Sequence, residues 1–408
     1  MDKSCKTSKL CTPNIYQKDN KIFRKSKMKK IAIIGAGISG LYIANLFKGN
    51  KDYQVTIYEK KTSLQIEEGY GIQLSVNSVK LLNKLGFSSL SEKEKFNPKK
   101  IDFYEIKNSK KICDLDISEF NSDDCKYTTL KRSKLLQFLI DRLDKSTIQF
   151  NCSLDKIEYS NDTINFTINK EKIACDYLII SDGVFSKGKS LILNNYSEPI
   201  YNNTIAVRAS ISKESLDNIN EDNISLFLGS DFHYVVYPLN NDQNFNFIGI
   251  LKNKLNLDQQ KNHNLCNEST FIESIKHKLS EKIPTKFFNS LEDIKLFPVF
   301  VSKNPFNPPK NIFLVGDAFF AFSPSFAQGA SQSIEGANQL HEIIINKKND
   351  FYNTRLDRVK MINRRSNFNQ FAFHLSNPIM IFFRNIFLKV LTKNKKFLQS
   401  YLGKIYKS

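Results

Sequence analysis

Three short runs of continuously apolar, mostly β-branched residues stand far apart along the chain: 31–34 (IAII), 177–180 (YLII) and 312–315 (IFLV). Runs of this length without polar alternation predict strands buried on both faces. Each breaks at a Gly/Asp-rich turn: Gly35-Ala36-Gly37-Ile38-Ser39-Gly40, then Ser181-Asp182-Gly183, then Gly316-Asp317. Between them the pattern changes. Val79, Leu81, Leu82 and Leu85 predict a helix over 77–85 stopped by Gly86, and Leu135, Leu136, Leu139, Ile140 and Leu143 predict another that opens at Thr129-Leu130-Lys131-Arg132. Strands are expected at 101–106, 111–117, 147–152, 156–159 and 164–168. Further short strands follow at 204–211, 224–228, 234–237 and 245–250, with an exposed helix around 268–283 and a long helix from Gln328-Gly329.

The first turn is the most informative stretch. It follows a strand, a helical pattern continues over 41–47, and a second strand over 54–58 ends at Glu59. Gly35 permits the tight turn, Gly37 lets the backbone approach a pyrophosphate, and Gly40 lets the helix lie close on the strand. The helix then points its amide-rich N-terminus at the phosphates. Glu59, 19 residues after Gly40, is placed to accept the ribose hydroxyls of an adenosine. Glycines also serve ordinary turns; the flanking strands, helix and terminal acid are what point to a nucleotide. Such ligands bind at the carboxyl ends of parallel strands, so the three turns are expected to converge on one of them. The fold class is α/β, a Rossmann-like nucleotide domain interleaved with a smaller α+β domain and followed by C-terminal helices. The expected boundaries are 29–70, 129–190 and 305–350 for the first domain, 71–128 and 191–304 for the second, and 351–408 for basic helices. No repeat of solenoid length is present.

The chain has 408 residues, 41% of them hydrophobic, enough for one large or two moderate cores. Its net charge of +19 is divided between +8 in residues 1–30 and +11 in residues 352–408, which leaves the body neutral. A neutral body argues against a nucleic-acid-binding core, while the basic ends fit a membrane surface or an acidic partner. Residues 1–28 read as a disordered basic leader, with Met28-Lys29-Lys30 resembling a natural start. Seven scattered cysteines show no metal or disulfide spacing, which makes a reducing, cytoplasmic setting the default. No run approaches the roughly 18 apolar residues of a membrane span. No metal site is expected, and nothing in the sequence specifies an oligomeric state.

With all three turns in view, the chain resembles the single-component flavoprotein aromatic hydroxylases of the para-hydroxybenzoate hydroxylase fold, from about residue 30 to 390. Gly35, Gly37, Gly40 and Glu59 match their FAD fingerprint. Gly71-Ile72-Gln73-Leu74 with Asn77 resembles a segment of salicylate- and 3-hydroxybenzoate-type hydroxylases. Arg132 matches an arginine beside the isoalloxazine–ribityl junction, and Asp182-Gly183 with Ser186 a motif serving FAD and the nicotinamide cofactor. Gly316-Asp317-Ala318, Pro324 and Gln328-Gly329 match the second FAD motif. The resemblance implies cofactor contacts from these positions and from Ser39 and Ala330. Phe320, Ala327, Ser181 and Lys189 depart from the family's usual His, Gly, Ala and Arg; the last bears on binding a phosphorylated nicotinamide cofactor.

The implied reaction uses NAD(P)H to reduce FAD and O₂ to form a flavin hydroperoxide that attacks an electron-rich ring. The helix from Gly329 would stabilise negative charge on reduced flavin, and Pro324 would shield the oxygenated flavin from water. Activating a phenol requires a base. His233 and Tyr237 share one face of a strand by the period of two, and the resemblance assigns that strand to the substrate wall. Ordinary roles compete: a hydrogen-bonded sheet residue for His233, a core aromatic for Tyr237. Arg208 fits a substrate carboxylate, the flavin region or a surface salt bridge. Residues 378–408 alternate apolar clusters with Arg384, Lys389, Lys393, Lys395 and Lys396. That pattern fits either a helix at an anionic lipid surface, peripheral to the inner face of a membrane, or helices packed on the body with solvated lysines. The expected activity is hydroxylation of a small phenolic or other aromatic substrate. The alternatives are a polyprenyl-phenol hydroxylase of the ubiquinone pathway, a same-fold reductase or dehydrogenase that does not use O₂, and a non-catalytic flavin-binding partner.

Overall fold

The structure is a computed structural model and describes residues 28–64, 70–160, 163–193, 198–216, 219–240, 244–262, 264–348 and 350–406. The expected leader falls outside the described residues apart from Met28.

The three apolar runs lie side by side in a five-stranded sheet, in the order Ile312–Leu314, Tyr177–Ile180, Lys29–Ile34, Tyr53–Tyr58, Ile148–Gln149. Every pairing in it is parallel. Both faces are covered, which is why these strands lack polar alternation. Ile31, Ile33, Ile179 and Phe313 pack against the helices Ile38–Phe47 and Gly329–Ile345, through Leu41, Tyr42 and Ile334. Ala32, Ile34, Leu178, Ile180 and Leu314 face the other way, onto Ile157, Ile164 and Phe166 of a small antiparallel sheet. The strand expected over 147–152 contracts to Ile148–Gln149, because the chain turns at Asn151, whose φ is +57°.

A second sheet has seven strands, in the order Leu291–Val301, Ile200–Ser212, Asn244–Lys252, Phe232–Pro238, Ile224–Gly229, Lys100–Glu105, Lys111–Asp116. Phe232, Tyr234 and Val236 point to one face and pack on Ile275 and Leu279 of the helix Ser269–Ser280. That helix, expected to be exposed, therefore has a buried side. Val235 and Tyr237 point to the opposite face, toward Ile362, Phe373, Leu398 and Ile405 of the C-terminal helices. A three-stranded sheet, Gly71–Leu74, Thr128–Lys131 and Lys95–Phe96, meets the seven-stranded one, the Gly71 amide donating to Asn246 and the Thr129 hydroxyl to the Pro238 carbonyl.

The C-terminal helices are fastened by charge as well as by apolar contact. Glu335 accepts from Arg355 at 2.6 Å and from Arg358 at 2.7 and 2.8 Å, and Arg358 donates onward to the Ile405 carbonyl. Burial alone would raise the Glu335 carboxyl; the two guanidiniums outweigh it and hold the group below the usual carboxylate range. Among the described residues, no helix is long and apolar enough to cross a membrane.

Candidate functional site: a cofactor edge and a substrate face

Strand register aligns the three turns. Ile34 pairs with both Tyr58 and Ile180, and Ile180 with Leu314. The next residues, Gly35, Glu59, Ser181 and Val315, therefore form one row along the carboxyl edge of the sheet. Contacts across this row are close. A Cβ on Gly40 would fall 2.2 Å from the Gly35 carbonyl oxygen and 2.7 Å from Ser181 Oγ. One on Gly35, whose φ is +99°, would meet the Ser181 carbonyl at 2.7 Å, and one on Gly316 would meet Ser39 Oγ at 2.6 Å. Three other glycines behave oppositely. A Cβ on Gly183 or Gly329 would have nothing within 4 Å, and one on Gly37 only the Ser181 carbonyl at 4.0 Å. The first set holds the turns together; the second presents bare backbone to open space, as close approach by a phosphate or a flavin edge requires.

The polar groups at this edge fit the same occupant. Glu59 is buried and accepts from the Ala36 amide at 2.8 Å and the Lys61 amide at 3.0 Å. Asp182 accepts from the Gly188 amide through one oxygen, while its Oδ1 is buried with no partner among the described residues. Burial raises the Asp182 carboxyl, opposed by its hydrogen bonds from Gly188 and Ser186. Gln328 Nε2 is likewise buried and unpartnered among the described residues. Asp317 is exposed, yet enough protein surrounds it to push its carboxyl up, with Arg132 opposing. Gly316, Asp317 and Gly329 line one cavity, so the second FAD motif and the start of the helix Gly329–Ile345 meet there. Pro324 begins a tight turn ending at Ala327, which leads into Gln328 and Ala330. One orphaned acceptor, one orphaned donor and three bare glycine faces along one edge make a set of partners suited to FAD. Lys189, which stands where the family usually has Arg, lies inside the protein. It is buried, its amide donates to Ser186 Oγ, and burial lowers its ammonium with Asp182 opposing, so it offers no exposed charge for a nicotinamide phosphate.

The two residues expected to line one substrate wall stand apart on their strand. Tyr237 and His233 do share a face, but they lie four residues apart, roughly 13 Å along an extended strand. Tyr237 meets Gln73, which also accepts from the Tyr127 hydroxyl at 2.8 Å. Burial pushes the Tyr237 phenol up, against Arg208 and Gln73, so it stays protonated. His233 instead contacts the C-terminal helices: its Nδ1 lies 2.7 Å from His374 Nε2 and its ring packs edge-on against Phe373. Burial holds His233 well below its ordinary value, and His374 falls to about 4 for the same reason.

Among the described residues Arg208 forms no surface salt bridge. Its guanidinium sits 5.5 Å from the Tyr70 ring and 5.9 Å from that of Phe297, and it donates to the Gly71 carbonyl at 3.4 Å. No carboxylate lies within ion-pair reach of it among the described residues. Asn246, beside Tyr237 in the sheet, accepts from the Gly71 amide at 2.7 Å and leaves its buried Nδ2 without a partner among the described residues. Tyr70, Phe297, Asn246 and His374 carry no sequence signal. They are single residues joined only by pairings across long stretches of chain.

Known proteins share this fold. The chain is 24% identical over 335 residues to 6-methylsalicylate 1-monooxygenase of Aspergillus terreus, covering 76% of this chain and 74% of that protein. It is 21% identical over 365 residues to a salicylate hydroxylase of Pseudomonas putida, covering 80% and 78%. Among solved structures, Klebsiella pneumoniae HpxO complexed with FAD and uric acid superposes with a TM-score of 0.79 at 17% identity, over 92% of this chain and 96% of that one. A salicylate hydroxylase substrate complex superposes with a TM-score of 0.75 at 16% identity, over 94% and 96%. Residues 28–359 match the family described as FAD binding domain, and the chain belongs to it as an FAD-dependent monooxygenase of the aromatic hydroxylase type.

Proposed function

We propose that this enzyme hydroxylates an acidic aromatic compound, such as a phenolic acid, using NAD(P)H and O₂. The balanced reaction takes Ar–H, O₂, NAD(P)H and a proton to Ar–OH, water and NAD(P)⁺. The observation that carries the substrate class is Arg208, an enclosed cation with aromatic rings beside it and no carboxylate partner among the described residues. A desolvated guanidinium without a counter-ion is costly, and a bidentate carboxylate relieves that cost. The relatives named for salicylate and 6-methylsalicylate support the same reading.

Bound FAD supplies the redox chemistry that activates O₂. Gly35, Gly37, Ser39, Gly40 and Glu59 hold its adenosine and pyrophosphate, and Arg132, Asp182, Gly183 and Asp317 take its ribityl side. Gly329, at the start of a 17-residue helix, presents amides and a partial positive charge where negative charge develops. Pro324, Gln328 and Ala330 close that edge against water. Tyr237 donates to the ring substituent, and Asn246 Nδ2 orients it. His233 suits the base role less directly: its Nδ1 faces His374, so a proton reaching that nitrogen arrives through His374.

The test is a panel of phenolic acids, neutral phenols and quinone precursors, scored by NADH or NADPH consumption, oxygen uptake and product mass. Stimulation by acidic rings, with one oxygen atom added to the product, is expected. Turnover without oxygen uptake would make the protein a reductase, and silence across the panel would leave a flavin carrier.

A further inference from the structure

The helix Pro378–Leu391 is packed inside out. Ile379, Phe382, Phe383, Phe387 and Val390 are each between 52% and 68% exposed. The residues turned toward the protein include Arg384, which is 7% exposed and donates to Asn385 Oδ1 at 2.9 Å, and Asn385, which donates to Glu105 at 2.6 Å. A helix on a water-soluble surface places its apolar stripe inward and its charges outward; here the polar residues are used to fasten the helix and the aromatics are left outside. Phe368 and Phe371, from the end of the helix Phe351–Phe373, extend the same patch at 62% and 58% exposure. Single exposed apolar residues are ordinary, but a contiguous aromatic face is a docking surface.

We propose that this face seats the enzyme on an anionic lipid bilayer, the Pro378–Leu391 helix lying in the plane of the headgroups. Charge selects the occupant. Lys389, Lys393 and Lys396 are exposed around and just beyond the helix, and residues 378–408 contain seven Lys/Arg and no Asp/Glu. A second copy of the chain meeting this face about a twofold axis would bring a strongly basic rim against itself. Anionic headgroups complement the rim while the acyl boundary accepts the aromatics. Fourteen residues cannot span a bilayer, so the helix lies on the membrane rather than through it. Phe371 and Met380 also line an open cleft of about 640 Å³ that includes His374 and Asn202, so docking sets its mouth at headgroup level.

The experiment uses the full-length, flavin-loaded protein and co-sedimentation with phosphatidylcholine vesicles, with or without phosphatidylserine. The wild type is expected to pellet with the anionic vesicles, to remain mostly in solution with the neutral ones, and to release at about 1 M salt, where charge is screened within roughly 3 Å. Phe382→Ser with Phe387→Ser, and separately Lys389→Glu with Lys393→Glu and Lys396→Glu, should each weaken anionic-vesicle binding roughly tenfold or more. Because these side chains are exposed, flavin content and melting temperature should stay at wild-type values, which separates lost docking from lost folding. Wild-type protein that ignores both vesicle types would overturn the proposal. So would sedimentation velocity showing a lipid-independent dimer that the phenylalanine variant dissolves, which would assign the face to a second copy.

Discussion

The edge of the parallel sheet proposed to hold the cofactor and the face of the seven-stranded sheet proposed to meet the substrate are built on opposite terms. At the first, backbone meets backbone, with Gly35, Gly40 and Gly316 each leaving less than 3 Å for a methyl group. At the second, side chains meet side chains: Arg208 lies against the rings of Tyr70 and Phe297, and Asn246 Nδ2 is buried without a partner among the described residues. A backbone cradle fits one shape of ligand; a side-chain wall can be retuned one residue at a time.

The largest effect should come from a single methyl group at the cradle. Gly40→Ala places a Cβ against the Gly35 carbonyl, which is backbone and cannot swing aside, so we expect little folded protein and no bound flavin. Gly37→Ala meets only the Ser181 carbonyl at 4.0 Å, at a φ of −78° that any residue adopts. That variant should fold with an apoprotein melting temperature near wild type while binding FAD at least tenfold more weakly, as read by fluorescence titration. Equal behaviour of the two variants would mean that the glycines serve packing alone.

The substrate wall should respond by degrees. Arg208→Lys keeps the charge but loses the planar fork. The KM for an acidic substrate should rise roughly ten- to a hundredfold, with kcat and flavin content less affected and neutral phenols indifferent. A uniform loss over acidic and neutral substrates would move Arg208 from substrate recognition to flavin placement.

The same contrast governs what can be read from the sequence. The strands near 31, 177 and 312 and their turns are legible because double burial removes polar alternation and because bare backbone demands glycine. Each is a local rule acting within a few residues. The strand Leu291–Val301 escapes such reading, since Glu292, Asp293 and Lys295 interrupt its apolar positions. Strand period places His233 and Tyr237 on one face, as the structure has them. Their neighbours are hidden, because those depend on which helix covers each end of the strand. The His374 contact joins positions 141 apart, and no periodicity reports it. The inverted helix Pro378–Leu391 is ambiguous for a related reason: its pattern shows two faces without saying which one turns inward.

The histidine pair gives a smaller, pH-dependent effect. Both rings have folded values below 6.5, His374 at about 4 and His233 also well below, chiefly through burial. Between pH 6.5 and about 4 the unfolded chain takes up protons that the folded pair does not, so stability is full above 6.5 and falls as the solution is acidified. Asp182 and Asp317 titrate in the opposite sense, their raised carboxyls gaining protons on folding. The clean measurement is therefore the difference in melting temperature between wild type and His374→Gln. The wild type should lose more than the variant from pH 7 to 5, and parallel curves would remove the pair from the pH response.

The smallest effect lies within the cradle, where the chain departs from its own rule. Ala327 occupies the turn before Gln328 with φ +50° and ψ 33°, the left-handed region that costs a side-chain-bearing residue about 1 kcal/mol relative to glycine. Glycine relieves that strain but gives the unfolded chain more freedom, a loss of some 0.4–1 kcal/mol that nearly cancels the gain. Ala327→Gly should therefore change stability by about 0.5 kcal/mol or less in urea unfolding, with binding of FAD retained. The near-cancellation accounts for alanine being tolerated here and not at Gly40. At 327 the structure shows a left-handed backbone angle, whereas at 40 a neighbouring carbonyl already fills the space. A loss or gain of several kcal/mol at 327 would show that its methyl group makes contacts as decisive as those beneath the nucleotide turn.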